Sequence, residues 1–337
     1  IGGRLAFDTA LVPVSERAAQ PTDPATTVFG LAAKDMMRRP HQYMPQAIKD
    51  VLWSFSKLGI RHPLLFRTMA QHLAGNYEDD AEAKGFDEFT TQGLANTAWA
   101  YARQAQLAEQ SGTGSSAVTI YADIGEDLLY RLFSRIAEAL VRDLNGSGMA
   151  TPQHISNTAW AFAVLGLKHE TFLEEVKRFV MKNAPSSAQG RTPSNTFSGQ
   201  GLANIVWALA SLNAPLEGIV DLASMTLQSF FGKSLDNVSA HENVAYFSQQ
   251  NLCNMIWAFA VFDDLPCPLL EFLYRGLFRP AAVSMSEPAF FSVLYAHILM
   301  NLKGTCKELR LPDTPLDVWK GAASSKRKDG YLNDSSM

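Results

Sequence analysis

The sequence predicts an all-α chain, an α-solenoid of stacked helix–turn–helix repeats, from three observations. A single eleven-residue unit recurs, its apolar residues keep helical spacing, and helix start and stop signals flank it. The best copy reads Gln92-Gly93-Leu94-Ala95-Asn96-Thr97-Ala98-Trp99-Ala100-Tyr101-Ala102, with close copies at 153–163, 200–210 and 250–260 and a looser one at 46–56. Five of the six tryptophans occupy one place in this unit. Such self-similarity is the mark of a repeat architecture.

With the tryptophan as position zero, position −5 is Ile48, Leu94, Ile155, Leu202 or Leu252. Position −1 is Leu52, Ala98, Ala159, Val206 or Ile256, and position +2 is Phe55, Tyr101, Phe162, Leu209 or Phe259. Steps of four and three place these on one helical face, and alternation by two is absent. Thr90, Thr151, Ser198 and Ser248 stand at −9 as N-caps, with Pro45 and Pro152 at the first helical position of their copies. Tyr43, Phe89, Phe197 and Phe247 precede the caps at −10, as in a hydrophobic staple onto −5. Gly59 and Gly166, six residues after their tryptophans, read as helix stops.

A second helix is expected after each first one, over 64–73, 127–144, 172–181, 216–230 and 269–278. One hairpin cannot bury its apolar face alone, whereas stacked hairpins can. Taken in order, 1–28 is a linker or degraded segment, and 29–37 resembles the second helix of a preceding hairpin. The array then runs to 303, with repeats at 43–75, 89–145, 150–183, 197–231 and 247–280. A worn sixth unit at 285–303 places Tyr295 where the others have Trp and serves as a cap. Residues 304–337 read as a disordered tail. Insertions are expected in an acidic run at 78–82, a Gly/Ser linker at 111–116, and loops at 184–196 and 232–246.

On a helical wheel of about 100° per residue, the Asn at −3 falls opposite the apolar face. Asn96, Asn157, Asn204 and Asn254 therefore recur for a reason other than the core. One reading is a ladder in which each amide bonds the backbone or the Gln of the next hairpin. The other is hydrogen bonding to unstacked RNA, since an amide both donates and accepts. An identical residue in every repeat cannot discriminate bases. The positions that vary are the better candidates for discrimination, namely −6, with His154 and Asn251, and +4, with Lys57 and Arg103. Lys49, Arg61, Arg67, Arg131, Arg135 and Arg142 are candidates for phosphate contacts or ordinary solvated charges. The tryptophans read as core more readily than as stacking platforms.

Net charge is −4, which weighs against a generically basic nucleic-acid binder, although residues 34–70 carry a local net charge of +5. Three cysteines make no closed disulfide framework, and Cys253 fills a small slot at −4. His62 and His169, each nine residues after a tryptophan, belong to turns. There is no nucleophile–base–acid arrangement, no phosphate loop and no metal spacing, so the expectation is a non-catalytic protein with no cofactor. No apolar run is long enough to span a bilayer. The chain begins at Ile1, which suggests that a segment carrying any targeting peptide precedes it.

The unit, over 43–303, resembles the octotricopeptide repeat family, to which the FASTK/RAP-type proteins are related. It departs from that pattern in its longer linkers, and no closing RAP domain is read after Gly304. The resemblance implies sequence-selective binding of single-stranded RNA in a mitochondrion or chloroplast, in RNA processing, stability, translation or ribosome assembly, with other organellar ribonucleoprotein subunits as further partners. The alternative is a protein-binding scaffold or structural subunit of an organellar complex.

Overall fold

The computed structural model describes residues 28–75, 86, 88–110, 116–146, 149–183, 197–216, 218–223, 248–262 and 287–303. Among these, every regular element is a helix. The contacts divide the chain into two compact units, Pro13–Pro215 and Leu216–Met337 with Ile1–Val12. The expected linker at 1–28, apart from Val28, lies outside the described residues. So do the acidic run, the loops at 184–196 and 232–246, the second helix at 269–278 and the tail.

The first unit contains α1 (Val28–Arg38), a 3-10 turn (Pro40–Gln42), α2 (Pro45–Lys57), α3 (Pro63–Ala74), α4 (Thr91–Gln110), α5 (Ser116–Ile124), α6 (Glu126–Asn145), α7 (Pro152–Leu165), α8 (Glu170–Lys182) and α9 (Gly199–Ser211). It is a two-layered solenoid. In one layer α2, α4, α7 and α9 pack successively, and in the other α1, α3, α6 and α8 do the same. Trp53 and Trp99, at equal positions of α2 and α4, bring their rings to 6.5 Å.

All fifteen residues at −5, −1 and +2 in the five copies are buried. The +2 aromatics form a chain of ring contacts that passes from layer to layer. Phe66 meets Tyr101 at 5.0 Å, Tyr101 meets Phe133 at 6.4 Å, Phe133 meets Phe162 at 5.0 Å, and Phe162 meets Phe172 at 4.8 Å. The Tyr101 hydroxyl, fully buried, donates to the Phe66 carbonyl at 2.8 Å, which removes the cost of an unmatched phenol. Burial alone pushes that phenol well above its ordinary pKa.

The hairpin turns have a shared chemistry. Gly59 and Gly166 take φ of +71°, and Asn213 takes φ of +51° at the same position, six after its tryptophan. In each, the following N–H donates back to the +2 carbonyl: Ile60 to Phe55, Leu167 to Phe162 and Ala214 to Leu209. This satisfies carbonyls that the helix end would strand. His62 and His169 then cap the second helices, their Nδ1 atoms accepting from Leu65 N–H at 3.1 Å and Phe172 N–H at 3.3 Å. Gln104, buried, locks two repeats together by donating to the Ile60 carbonyl at 2.9 Å and accepting from His62 N–H at 3.2 Å.

Repeat two differs from expectation. A third helix, α5, follows the Gly/Ser stretch and packs on α3, α4, α6 and α7. Residues 111–115 of that stretch lie outside the described residues.

In the second unit, residues 219–223 are helical, the part of the helix expected at 216–230 that is described there. Helices α10 (Gln249–Val261) and α11 (Glu287–Lys303) pack together. α11, the worn copy, buries Val293, Ala296 and Met300 and exposes Phe291 and Tyr295.

The left-handed turns make a paired prediction. Gly166→Ala should destabilise by about 1–2 kcal/mol, the cost of an added Cβ in this conformation, while Asn213→Gly should be neutral or slightly stabilising. Urea denaturation of both variants checks it.

Candidate nucleic-acid interface

The recurring Gln at −7 and Asn at −3 are one helical turn apart and share a stripe. In α2 the Gln46 amide donates to Asp50 at 2.9 Å, and in α10 the Gln250 amide donates to the Asn254 oxygen at 2.8 Å. The bond lies within one helix, not between hairpins as the ladder reading expects. It also explains why Asp50 can stand for Asn, because the −3 side chain is used as an acceptor. Gln46, Gln92, Gln153 and Gln200 are all exposed.

The −3 side chains are less open than the wheel predicts. Asp50 is exposed and Asn96 and Asn157 are half-buried, but Asn204 is 5% and Asn254 2% exposed. A wheel treats a helix alone, without the neighbours that pack against it.

Between the N-terminal halves of α7 and α9 lies an open hollow of about 420 Å³. Gln153, Ser156 and Asn157 line it from α7, and Gln200, Gly201 and Asn204 from α9. The caps Thr151 and Ser198, with Pro152, complete the rim. Gln153 with Gln200, and Asn157 with Asn204, are corresponding positions of two successive repeats. A Cβ on Gly201 would come within 3.3 Å of both Ser156 Oγ and Ser198 Oγ, so glycine permits the close crossing at this edge. No charged side chain lines the hollow. Among the described residues the Asn204 side chain has no hydrogen-bond partner, although the residue is nineteen-twentieths buried.

The −6 candidates have local roles. Thr151 N–H donates to His154 Nδ1 at 3.4 Å while His154 N–H donates to Thr151 Oγ1 at 3.3 Å. Asn251 does the same for Ser248, accepting from its N–H at 3.0 Å. These are capping boxes. Gly93 and Gly201 hold −6 in two other copies.

The +4 position lies seven residues beyond −3, about 10 Å along the helix and on nearly the same stripe. Lys57 is exposed there and Arg103 half-buried, its guanidinium donating to Gln106 at 3.2 Å. Arg131 and Arg135 are placed elsewhere, on α6 in the other layer. Arg131 lines a separate hollow of about 470 Å³ with Arg67, Gln71, Glu126 and Asp127, where the charges are mixed. Lys49 is buried and pairs with Asp50 at 2.6 Å, and Arg61 pairs with Asp123 at 2.5 Å. The tryptophans divide: Trp160 and Trp207 are buried, whereas Trp53 is 38% exposed.

Cys253 is buried, which pushes its thiol up to about 12. Among the described residues no group of three or more His, Cys, Asp or Glu is placed to hold a metal, and no helix is long and apolar enough to cross a membrane. No protein-family model matches the chain, and no curated protein sequence matches it.

Burial holds the His154 imidazole below its ordinary value of 6.5. The unfolded chain therefore takes up this proton first on acidification. The stabilisation is present above about pH 6.5 and is lost as pH falls through the lower folded value. His72 is shifted in the same direction by burial and by His41. His154→Gln, which keeps a capping-box acceptor, should thus flatten the loss of stability between about pH 7 and 5 without abolishing it. Thermal melts of both proteins across that range check this.

Proposed function

We propose that the chain binds single-stranded RNA across its first-layer helices, as a non-catalytic helical-repeat protein. The observation that carries this reading is the hollow between α7 and α9, where amides from matching positions of two repeats meet in an open space. A core does not need those amides, and they face an open space with their donors and acceptors available. A polar ligand with a repeating structure would satisfy them repeat by repeat. Asn157 and Asn204 lie at the hollow, Asn96 is the counterpart one repeat earlier, and Asn254 the counterpart in the second unit.

Position +4 varies as Lys57, Arg103, Val164, Ser211 and Val261, and supplies the selectivity in this reading. Lys57 and Arg103 also supply long-range attraction that a net charge of −4 otherwise denies the strand. The likeness of the repeat unit to octotricopeptide repeats supports the same function and an organellar RNA substrate. The negative net charge favours the second reading, a scaffold for a protein partner.

Binding of single-stranded RNA oligonucleotides, followed by fluorescence anisotropy, should weaken with salt. For two cations the slope of log K against log salt should be about −1.4, at ~0.7 per phosphate neutralised on a single strand. The double variant Lys57→Glu, Arg103→Glu should bind more weakly with a flatter slope. A protein that captures none of a broad oligonucleotide pool at low salt would leave the scaffold reading in its place.

A further inference from the structure

Apart from Asp50 in the first copy, each repeat has a constant pair, Gln at −7 and Asn at −3, and a varying residue at +4. A nucleic acid strand likewise has a constant part, the sugar and phosphate, and a varying part, the base. Amides that are the same in each repeat suit the part that is the same in each nucleotide. A base set among Gln153, Asn157, Gln200 and Asn204 would find four groups that each donate and accept, with no preference for one base edge over another.

Two independent features point to a polar ligand, and the first of them to an anionic one. The hollow is built at the N-terminal halves of two helices of fourteen and thirteen residues, where backbone N–H groups leave partial positive charge. In the first layer that charge is not neutralised, because α2, α4, α7 and α9 have no acidic residue in the first turn. In the other layer α6 opens with Glu126 and Asp127 and α8 with Glu170, whereas α1 and α3 carry no acidic residue there. The second feature is Asn204, nineteen-twentieths buried at the hollow with its amide unpartnered among the described residues.

We propose that the hollow between α7 and α9 seats one ribose-phosphate unit of a single-stranded RNA, with the −7 and −3 amides donating to phosphate oxygens and accepting from the 2′-hydroxyl. The assignment rests on the RNA-binding reading and says which part of the strand lies where. At ~30 Å³ for each water displaced, the hollow of about 420 Å³ has room for such a unit. Neutral donors and helix ends then replace a basic stripe, which fits a phosphate-binding edge in a chain of net charge −4. The base of that nucleotide extends along the helices towards the +4 row.

The test compares three probes of equal length: single-stranded RNA, an abasic ribose-phosphate oligomer, and inorganic polyphosphate. The intact chain should bind the abasic oligomer within about tenfold of RNA and polyphosphate more weakly than either. Gln153→Glu with Gln200→Glu, both at exposed positions where folding is checked by circular dichroism, should weaken RNA and abasic binding alike by roughly tenfold at low salt. RNA binding that disappears with the bases, or a double variant that loses RNA but keeps the abasic oligomer, would show that the hollow reads bases and overturn the assignment while RNA binding stands. Polyphosphate binding equal to the abasic oligomer would also overturn it, since the ribose would contribute nothing. Failure of all three probes would remove this assignment and the RNA reading together.

Discussion

A hairpin of two amphipathic helices is stable only when another hairpin covers its apolar stripe. That constraint shapes the first unit. The −5, −1 and +2 residues are buried in every copy, and the aromatic contacts from Phe66 through Tyr101, Phe133 and Phe162 to Phe172 tie alternate layers together. Because the stripe consumes one side of each first-layer helix, its opposite edge is released for other chemistry. The Gln and Asn rows occupy that edge, and their geometry is inherited from the packing behind them.

Much of this was legible in the residues because it is local. N-caps at Thr151, Ser198 and Ser248 and the left-handed stops at Gly59 and Gly166 depend on a few neighbouring atoms, and their residue types announce them. Asn213 was less legible, since Asn reaches the same conformation as Gly but has many other uses. Helix α5 was hidden behind a Gly/Ser stretch that reads as a linker. The double role of His62 and His169, turn residue and N-cap, is visible only once the Nδ1 contacts are seen.

The candidate site was legible as a pattern and not as a place. Recurrence singled out the amides, but a wheel has no neighbours. It could not show that Asn204 would be nearly enclosed while Gln200 stays open, or that a gap would remain between α7 and α9. Variation at −6 looked like a code, yet His154 and Asn251 each accept from a cap N–H, and Gly93 and Gly201 carry no side chain there. Net charge was similarly uninformative about the edge itself. Lys49 is absorbed by Asp50 and the α6 arginines lie in the other layer, so counting cations along the chain overstates what this face presents.

The extra helix of repeat two has a wider consequence. Trp99 and Trp160 are 61 residues apart in the chain, yet α4 and α7 pack as direct neighbours, as do α2 and α4 across a shorter separation of 46. Contour length and spatial pitch are therefore uncoupled in this unit. Material can be spliced in between a first helix and its partner without moving the next rung, so such chains can lengthen by accretion while keeping the ruler along their working edge unchanged.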